Sequence, residues 1–155
     1  MTRVGPDDLW CPSAPAEAGA LVIGVVNADG TVGYIRDRLE ASSAFLEAAA
    51  EVGPPELRYR FSAPCQQSTC GQWHDGCCTL PGRLAALVPS EEQRGDDDRL
   101  PRCAIRARCR WFAQSGADAC GICPVVGTRD QAVPVPDDAP RRHAGRPPAH
   151  LEERP

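Results

Sequence analysis

The chain has 155 residues, a formal net charge of −4 and an aromatic content of only 5%. This length fits one domain with a small appendage, and the few aromatic residues limit the core that the chain can bury. The negative balance gives no overall field that favours nucleic acid. Because no apolar run of about 18 residues is present and the start lacks the apolar stretch of a signal peptide, we expect a cytoplasmic protein without membrane contact.

The first part of the chain predicts an irregular arm followed by a β-hairpin. Residues 1–19 contain prolines and show no periodicity, so they are expected to form a flexible arm, with Cys11 as an incidental free thiol. Two β-branched apolar runs, residues 21–27 and 31–35, flank the sequence Ala-Asp-Gly. Asp-Gly between two such runs is a strong hairpin signal.

A helix and a further strand complete a predicted ββαβ layer. Residues 38–52 repeat apolar positions at helical spacing, and Asp37 with Glu40 forms a capping-box pattern at their start. In residues 56–62 Leu, Tyr and Phe alternate with two arginines. This alternation predicts a half-buried strand that places Arg60 on the polar face.

The remaining segments define the expected domain organisation. We predict an α+β fold in which one domain, residues 20–127, carries a cysteine-rich metal-binding lobe of loops and short helices at residues 65–123. Residues 89–99 are acidic and polar and predict a solvated linker inside this lobe. The proline-rich stretch 128–155 predicts a disordered tail.

The cysteines carry the strongest chemical signal in the chain. Eight of the nine lie between residues 65 and 123, in two groups separated by the predicted linker. Such density indicates disulfides, zinc or an iron–sulfur cluster, and a reducing cytoplasm disfavours disulfides. The candidate metal ligands are Cys65, Cys70, Cys77, Cys78, Cys103, Cys109, Cys120 and Cys123.

The spacing of these cysteines favours iron–sulfur over zinc. Zinc sites need tight pairs, and only Cys120 and Cys123 have the Cys-x-x-Cys form. The wider intervals elsewhere suit the larger cube of a 4Fe–4S cluster, and Pro124 matches the Cys-Pro ending of ferredoxin-type ligand runs. Zinc remains the alternative metal.

Two arrangements of the ligands are compatible with the sequence. In the favoured one, the four cysteines from residue 103 onward hold one centre, and Cys65 and Cys70 hold another with Cys77 or Cys78. The fourth ligand of that centre would be Cys78 or His74. In the other arrangement, a single cluster takes ligands from both groups.

A helix over residues 106–115, ended by Gly116, would position part of the second group. Two cysteines six residues apart cannot share a helix face, so Cys103 is expected before the helix and Cys109 within it. Trp111 and Phe112 would then form a cofactor-binding apolar wall beside the cluster, with ordinary core packing as the alternative.

The same helix would carry a basic stripe. Arg102, Arg106 and Arg110 recur every four residues, which places them on one helix face. We interpret this stripe as a dock for a protein redox partner or another acidic partner, with nucleic acid as an alternative and a simple solvated face as the plainest interpretation.

One segment resembles a known family. The sequence ADACGICPVVGTRD is similar to the Cys-x-x-Cys-Pro-Val segment of the WhiB-like iron–sulfur regulators. The resemblance covers barely a dozen residues and implies a redox-responsive regulator that binds a cluster. The family has a further cysteine where Arg129 stands here and a Gly-Trp turn that is missing, so the chain is not assigned to it.

These observations give three hypotheses about function. The first is an iron–sulfur redox protein with one or two clusters, acting as an electron carrier, an accessory protein or a sensor. The second is a zinc-stabilised module that binds protein or nucleic acid. The third is a thiol enzyme built on Cys70 and His74, which we expect least because no catalytic motif or orienting third group accompanies this pair.

Overall fold

The structure, a computed structural model, describes residues 3–89 and 99–125 and shows an α+β fold. One antiparallel sheet has the strand order β1-β4-β2-β3, and its strands are β1 (Trp10–Ala14), β2 (Leu21–Val26), β3 (Val32–Glu40) and β4 (Tyr59–Pro64). A small hairpin pairs β5 (Trp73–His74) with β6 (Cys77–Cys78). The helices are α1 (Ser43–Ala50), α2 (Leu80–Ala85), α3 (Arg110–Ser115) and α4 (Ala117–Ile122).

The predicted hairpin is confirmed. β2 and β3 pair from Val26 opposite Val32 to Leu21 opposite Glu40. Gly30 adopts a φ of +84° in the turn, and its N–H donates to the carbonyl of Asn27 at 3.0 Å. A residue without a Cβ suits this left-handed backbone, which explains the Asp-Gly signal.

The predicted start of the first helix is wrong. Residues 38–40 belong to β3, and α1 begins five residues later, at Ser43. Ser42 is the N-cap, and its hydroxyl accepts a hydrogen bond from the N–H of Phe45 at 3.1 Å. Pairing with β2 keeps this stretch extended, so a long-range contact overrides the local Asp37 capping pattern.

The flexible arm predicted for residues 1–19 is wrong over β1. β1 pairs with β4, with Cys11 opposite Ala63 and Trp10 opposite Pro64. Proline within the strand is tolerated because β1 lies at the edge of the sheet, where one side of the backbone needs no ladder partner. The N-terminal segment therefore places Cys11 on a framework strand.

The sheet is covered on both faces. Phe61 and Val22 pack with Ala41 and partly buried residues of α1 on one side. Ile23 packs against Ile105 on the other, together with cysteines from the second half of the chain. The polar-face prediction for Arg60 is wrong, because this second layer leaves its residue only 1% exposed.

The helix predicted over residues 106–115 is interrupted. Arg106–Arg108 form a 3₁₀ turn, Cys109 is extended with φ −72° and ψ 124°, and α3 starts at Arg110. Cys109 is therefore the N-cap and does not lie within the helix. The expected ending is confirmed at Gly116, which has a φ of +62°.

This interruption also overturns the single basic stripe. Arg102 precedes the 3₁₀ turn, Arg106 lies in it and Arg110 begins α3, so the three do not share one helix face. Arg110 is 6% exposed, donates to the carbonyl of Pro6 at 2.6 Å and stacks over Trp73 at 4.9 Å. Arg110 thus joins elements inside the fold.

Some predictions lie outside the described residues. The linker prediction falls mostly on residues 90–98 and the tail prediction on 128–155, which the structure does not describe. The domain division stays a prediction. Among the described residues, every helix is too short or too polar to cross a bilayer.

Candidate functional site

All nine cysteines are free thiols, and eight of them form two groups of four. The first cysteine group surrounds the end of β4 and the β5–β6 hairpin, and the second surrounds the start of α3 and the end of α4. The first group consists of Cys11, Cys65, Cys70 and Cys78. The second group consists of Cys103, Cys109, Cys120 and Cys123.

The sheet brings the first cysteine group together. Cys11 lies on β1, and Cys65 directly follows β4, where its N–H donates to the carbonyl of Leu9 at 2.9 Å. Burial raises the pKa of Cys11 to about 11, and negative charge on Cys78, Cys65 and Cys70 raises it further. Mutual electrostatic coupling of this kind shows that the four thiols are neighbours.

The structure distinguishes Cys78 from Cys77. Cys78 pairs with Trp73 across the hairpin, and its backbone N–H and C=O are bound by the side-chain amide of Gln114, both at 3.0 Å. Cys77 is exposed, and its thiol donates to the carbonyl of His74 at 3.3 Å. Cys78 therefore belongs to the first group and Cys77 lies outside it.

The imidazole of His74 contacts the neighbouring Asp75. Its Nε2 lies 3.2 Å from the carboxylate of Asp75, and its side chain is 42% exposed. The structure instead supplies Cys11 as the fourth thiol. Cys11 was not predicted as a ligand because the other three thiols of the group are more than fifty residues away in the sequence. The signal for it was that adjacent Cys77 and Cys78 point in different directions, which left the first group one thiol short.

The second cysteine group lines one small cavity. All four thiols contribute to a space of about 30 Å³, whose walls also include Tyr34, Trp111, Phe112 and Arg106. This volume is about twice the minimum that one water molecule needs. Cys120 and Cys123 lie three residues apart along α4 and its end, which places both on one side of the helix.

Burial dominates the electrostatics of the second group. It raises the pKa of Cys109 to about 12 and also raises the pKa values of Cys103 and Cys120. The side chain of Arg106 donates to Cys120 and opposes this rise. These thiols are protonated at neutral pH, so each must lose a proton before it binds a metal ion.

Backbone N–H groups point at many of the sulfur atoms. The N–H of Ser13 lies 3.4 Å from the sulfur of Cys11, and that of Gln72 lies 3.5 Å from the sulfur of Cys70. The same donation from two residues ahead reaches Cys78, Cys103 and Cys109. Such donors stabilise thiolate charge and tune metal–sulfur centres.

Arg60 joins the sheet to the second cysteine group. Its guanidinium donates to the carbonyl of Cys123 at 2.5 Å and to that of Pro12 at 2.9 Å. One nitrogen also lies 3.6 Å from the sulfur of Cys123. The alternating pattern of β4 in the sequence did not reveal this contact of Arg60.

Three aromatic side chains border the thiols. Trp111 is 1% exposed, and Phe112 packs under the guanidinium of Arg106 at 6.0 Å. The buried hydroxyl of Tyr34 lies against Cys123; burial and then Cys123 raise the pKa of this phenol. The predicted wall residues Trp111 and Phe112 thus line the cavity of the second group, and Tyr34 is an addition that the sequence did not indicate.

The thiols are neighbours and do not form a closed coordination sphere. Within residues 3–89 and 99–125, no three or more Cys, His, Asp or Glu side chains meet the geometry for holding a metal ion. The arrangement places eight free thiols beside backbone N–H donors and two guanidinium groups. No protein-family model, curated protein or solved structure matches the chain.

Proposed function

We propose that this protein is a redox protein that binds two iron–sulfur clusters of the 4Fe–4S type, one at each cysteine group. The observation that carries the proposal is the division of eight thiols into two sets of four, each gathered from separate parts of the chain. Four cysteine thiolates are the usual ligand set of such clusters. The fold then consists of a sheet layer that supports a cysteine-rich metal lobe.

The chemistry around the sulfurs supports this assignment. Backbone N–H groups donate to at least five of the eight sulfurs. Two further buried donors, the Tyr34 hydroxyl and the Trp111 indole N–H, border the groups and have no hydrogen-bond partner among the described residues. Sulfur atoms that carry negative charge would accept these hydrogen bonds, so the donors fit a site for thiolate ligands.

The sequence spacing of the second group favours a cluster over a single zinc ion, because only Cys120 and Cys123 in it form a Cys-x-x-Cys pair. Its four thiols line the walls of a cavity together with Trp111 and Phe112. One zinc ion needs four sulfurs at about 2.3 Å from a common point, whereas a cluster holds its ligands farther apart. Aromatic walls limit solvent access, which is one of the factors that set the reduction potential of a cluster.

Burial disfavours a nucleophilic role for Cys11 and Cys109. A nucleophilic cysteine needs a lowered pKa, but burial raises the pKa of Cys11 to about 11 and that of Cys109 to about 12. These thiols are suited to ligation, because bound metal supplies the free energy that removes their protons.

Each group of side chains has a distinct role in this proposal. The cysteines would bind the clusters. Arg60 lies beside the sulfur of Cys123, and Arg106 favours the charged form of Cys120. The sheet and α3 exclude water from one side of the second group. The bound clusters would supply one-electron chemistry to a protein partner in the cytoplasm. Arg102 and Arg108 are exposed near this group and offer positive charge to an acidic partner surface.

Metal analysis of the intact chain tests the proposal. We expect anaerobically purified protein to be brown and to contain about eight iron and about eight sulfide per chain, since two cubes of four irons and four sulfides are proposed. A reduced sample should give the electron paramagnetic resonance signals of two centres. Colourless protein with two zinc ions per chain would refute the redox proposal in favour of a zinc-stabilised module.

A further inference from the structure

Trp111 lies between the two cysteine groups. Its ring lines the cavity of the second group, and it belongs to the buried cluster against which Cys78 of the first group packs. α3 carries this tryptophan two residues after the ligand Cys109, and Gln114 on the same helix binds the backbone of Cys78. One short helix therefore contacts both groups.

The polar end of Trp111 is buried beside the first cysteine group. The indole Nε1 is buried without a hydrogen-bond partner in the described part of the chain. A buried N–H group that lacks an acceptor costs free energy, and such groups call for an explanation. Cys78 packs against the buried cluster that contains Trp111, which brings its sulfur near the indole.

We infer that Trp111 is a positioning residue whose indole N–H donates to the sulfur of Cys78 when that sulfur binds metal, while its ring walls the second centre. This inference rests on the proposed function and extends it to the relation between the two centres. A hydrogen bond to a ligand sulfur stabilises the added negative charge of the reduced cluster. Trp111 thus raises the reduction potential of the first centre relative to the second.

The first test measures the two potentials in the full-length, cluster-loaded protein. Trp111→Phe keeps an apolar ring and removes the N–H. We expect it to keep the wild-type iron content and to disfavour reduction of the first centre about tenfold, which is about 59 mV for one electron. The second centre should keep its potential. In Cys120→Ser, which lacks a ligand of the second centre, the signal that remains belongs to the first centre.

Trp10→Phe is the matched control. Trp10 is partly buried beside the second group but is not in the cluster that contains Cys78, so both potentials should stay at their wild-type values. Unchanged potentials in Trp111→Phe, or equal shifts of both centres, would overturn the inference.

A second readout does not depend on redox activity. In zinc-loaded protein carrying isotope-labelled tryptophan, the indole N–H resonance of Trp111 should move downfield on metal binding, as expected for a new hydrogen bond to thiolate. The resonance of Trp10 should not move. A stationary Trp111 signal would overturn the inference even if iron is bound. A chain that takes up zinc but never iron and sulfide would refute only the proposed redox function, because this measurement would still decide the contact.

Discussion

Exchange of Cys11 for serine is the sharpest test of the first centre. The structure makes Cys11 the fourth thiol of that group and leaves Cys77 exposed on the hairpin. We expect Cys11→Ser to reduce iron and sulfide from about eight to about four of each per chain, because one of two centres is lost. Cys77→Ser should keep the full content.

The free energy of deprotonating Cys11 can be compared with the free energy that metal binding supplies. Burial raises the pKa of Cys11 to about 11, so its deprotonation at pH 7 costs about 5 kcal/mol. Metal bound by structural thiolate sites supplies about 10 to 16 kcal/mol, which exceeds this cost. A serine hydroxyl is a far weaker acid and a harder ligand, so the same binding free energy does not recruit it.

The assay is iron and sulfide quantitation on protein purified without oxygen, with the content normalised to chain concentration. Cys103→Ser is the positive control, since it should remove the other centre and halve the content independently. The double variant Cys11→Ser with Cys103→Ser should hold neither cluster. Full metal content in Cys11→Ser with a halved content in Cys77→Ser would refute the ligand assignment.

Three further predictions concern protons, the buried cation and the helix cap. Burial raises the pKa of five thiols, which are therefore protonated at pH 7. Metal binding should release at least about five protons and should weaken as the pH falls. Calorimetry in buffers of different ionisation enthalpy measures this release. Arg60→Met should lower the free energy of unfolding in urea by about 2 to 4 kcal/mol, because two carbonyls lose their donor. The control Arg58→Met, which loses a hydrogen bond to the carbonyl of Ala49, should keep the full metal content. Ser42→Ala should cost about 1 kcal/mol and Asp37→Ala close to nothing in the same unfolding assay, the reverse of what the local sequence pattern indicates.

Local signals predicted the elements that depend on neighbouring residues. The β2–β3 hairpin follows from its turn, and Gly116 ends α3 through its positive φ. The stretch from Asp37 to Glu40 looked helical because its capping pattern is local, yet its pairing with β2 decides the conformation. Tertiary pairing outweighs propensity differences that amount to less than about 1 kcal/mol per residue.

The grouping of the cysteines could be predicted from the sequence, but the full membership of the first group could not. Cysteine density indicated metal chemistry, and the second group of four was anticipated as a set. Cys11 joins the first group only because β1 pairs with β4, a contact between residues far apart in the sequence. Arg60 was missed for a related reason: alternation along a strand cannot show that another layer covers its second face.

In the proposed cluster-bound form, the edge position of β1 would link metal content to aggregation. Proposed ligands on β1 and just after β4 tie these two strands together through the first centre. Oxidative loss of that centre would release this tie and favour detachment of the terminal strand. β4 would then become an edge strand with unpaired backbone groups, on which strands of other chains can pair. Exposure to air would thus appear first as self-association of an otherwise folded sheet.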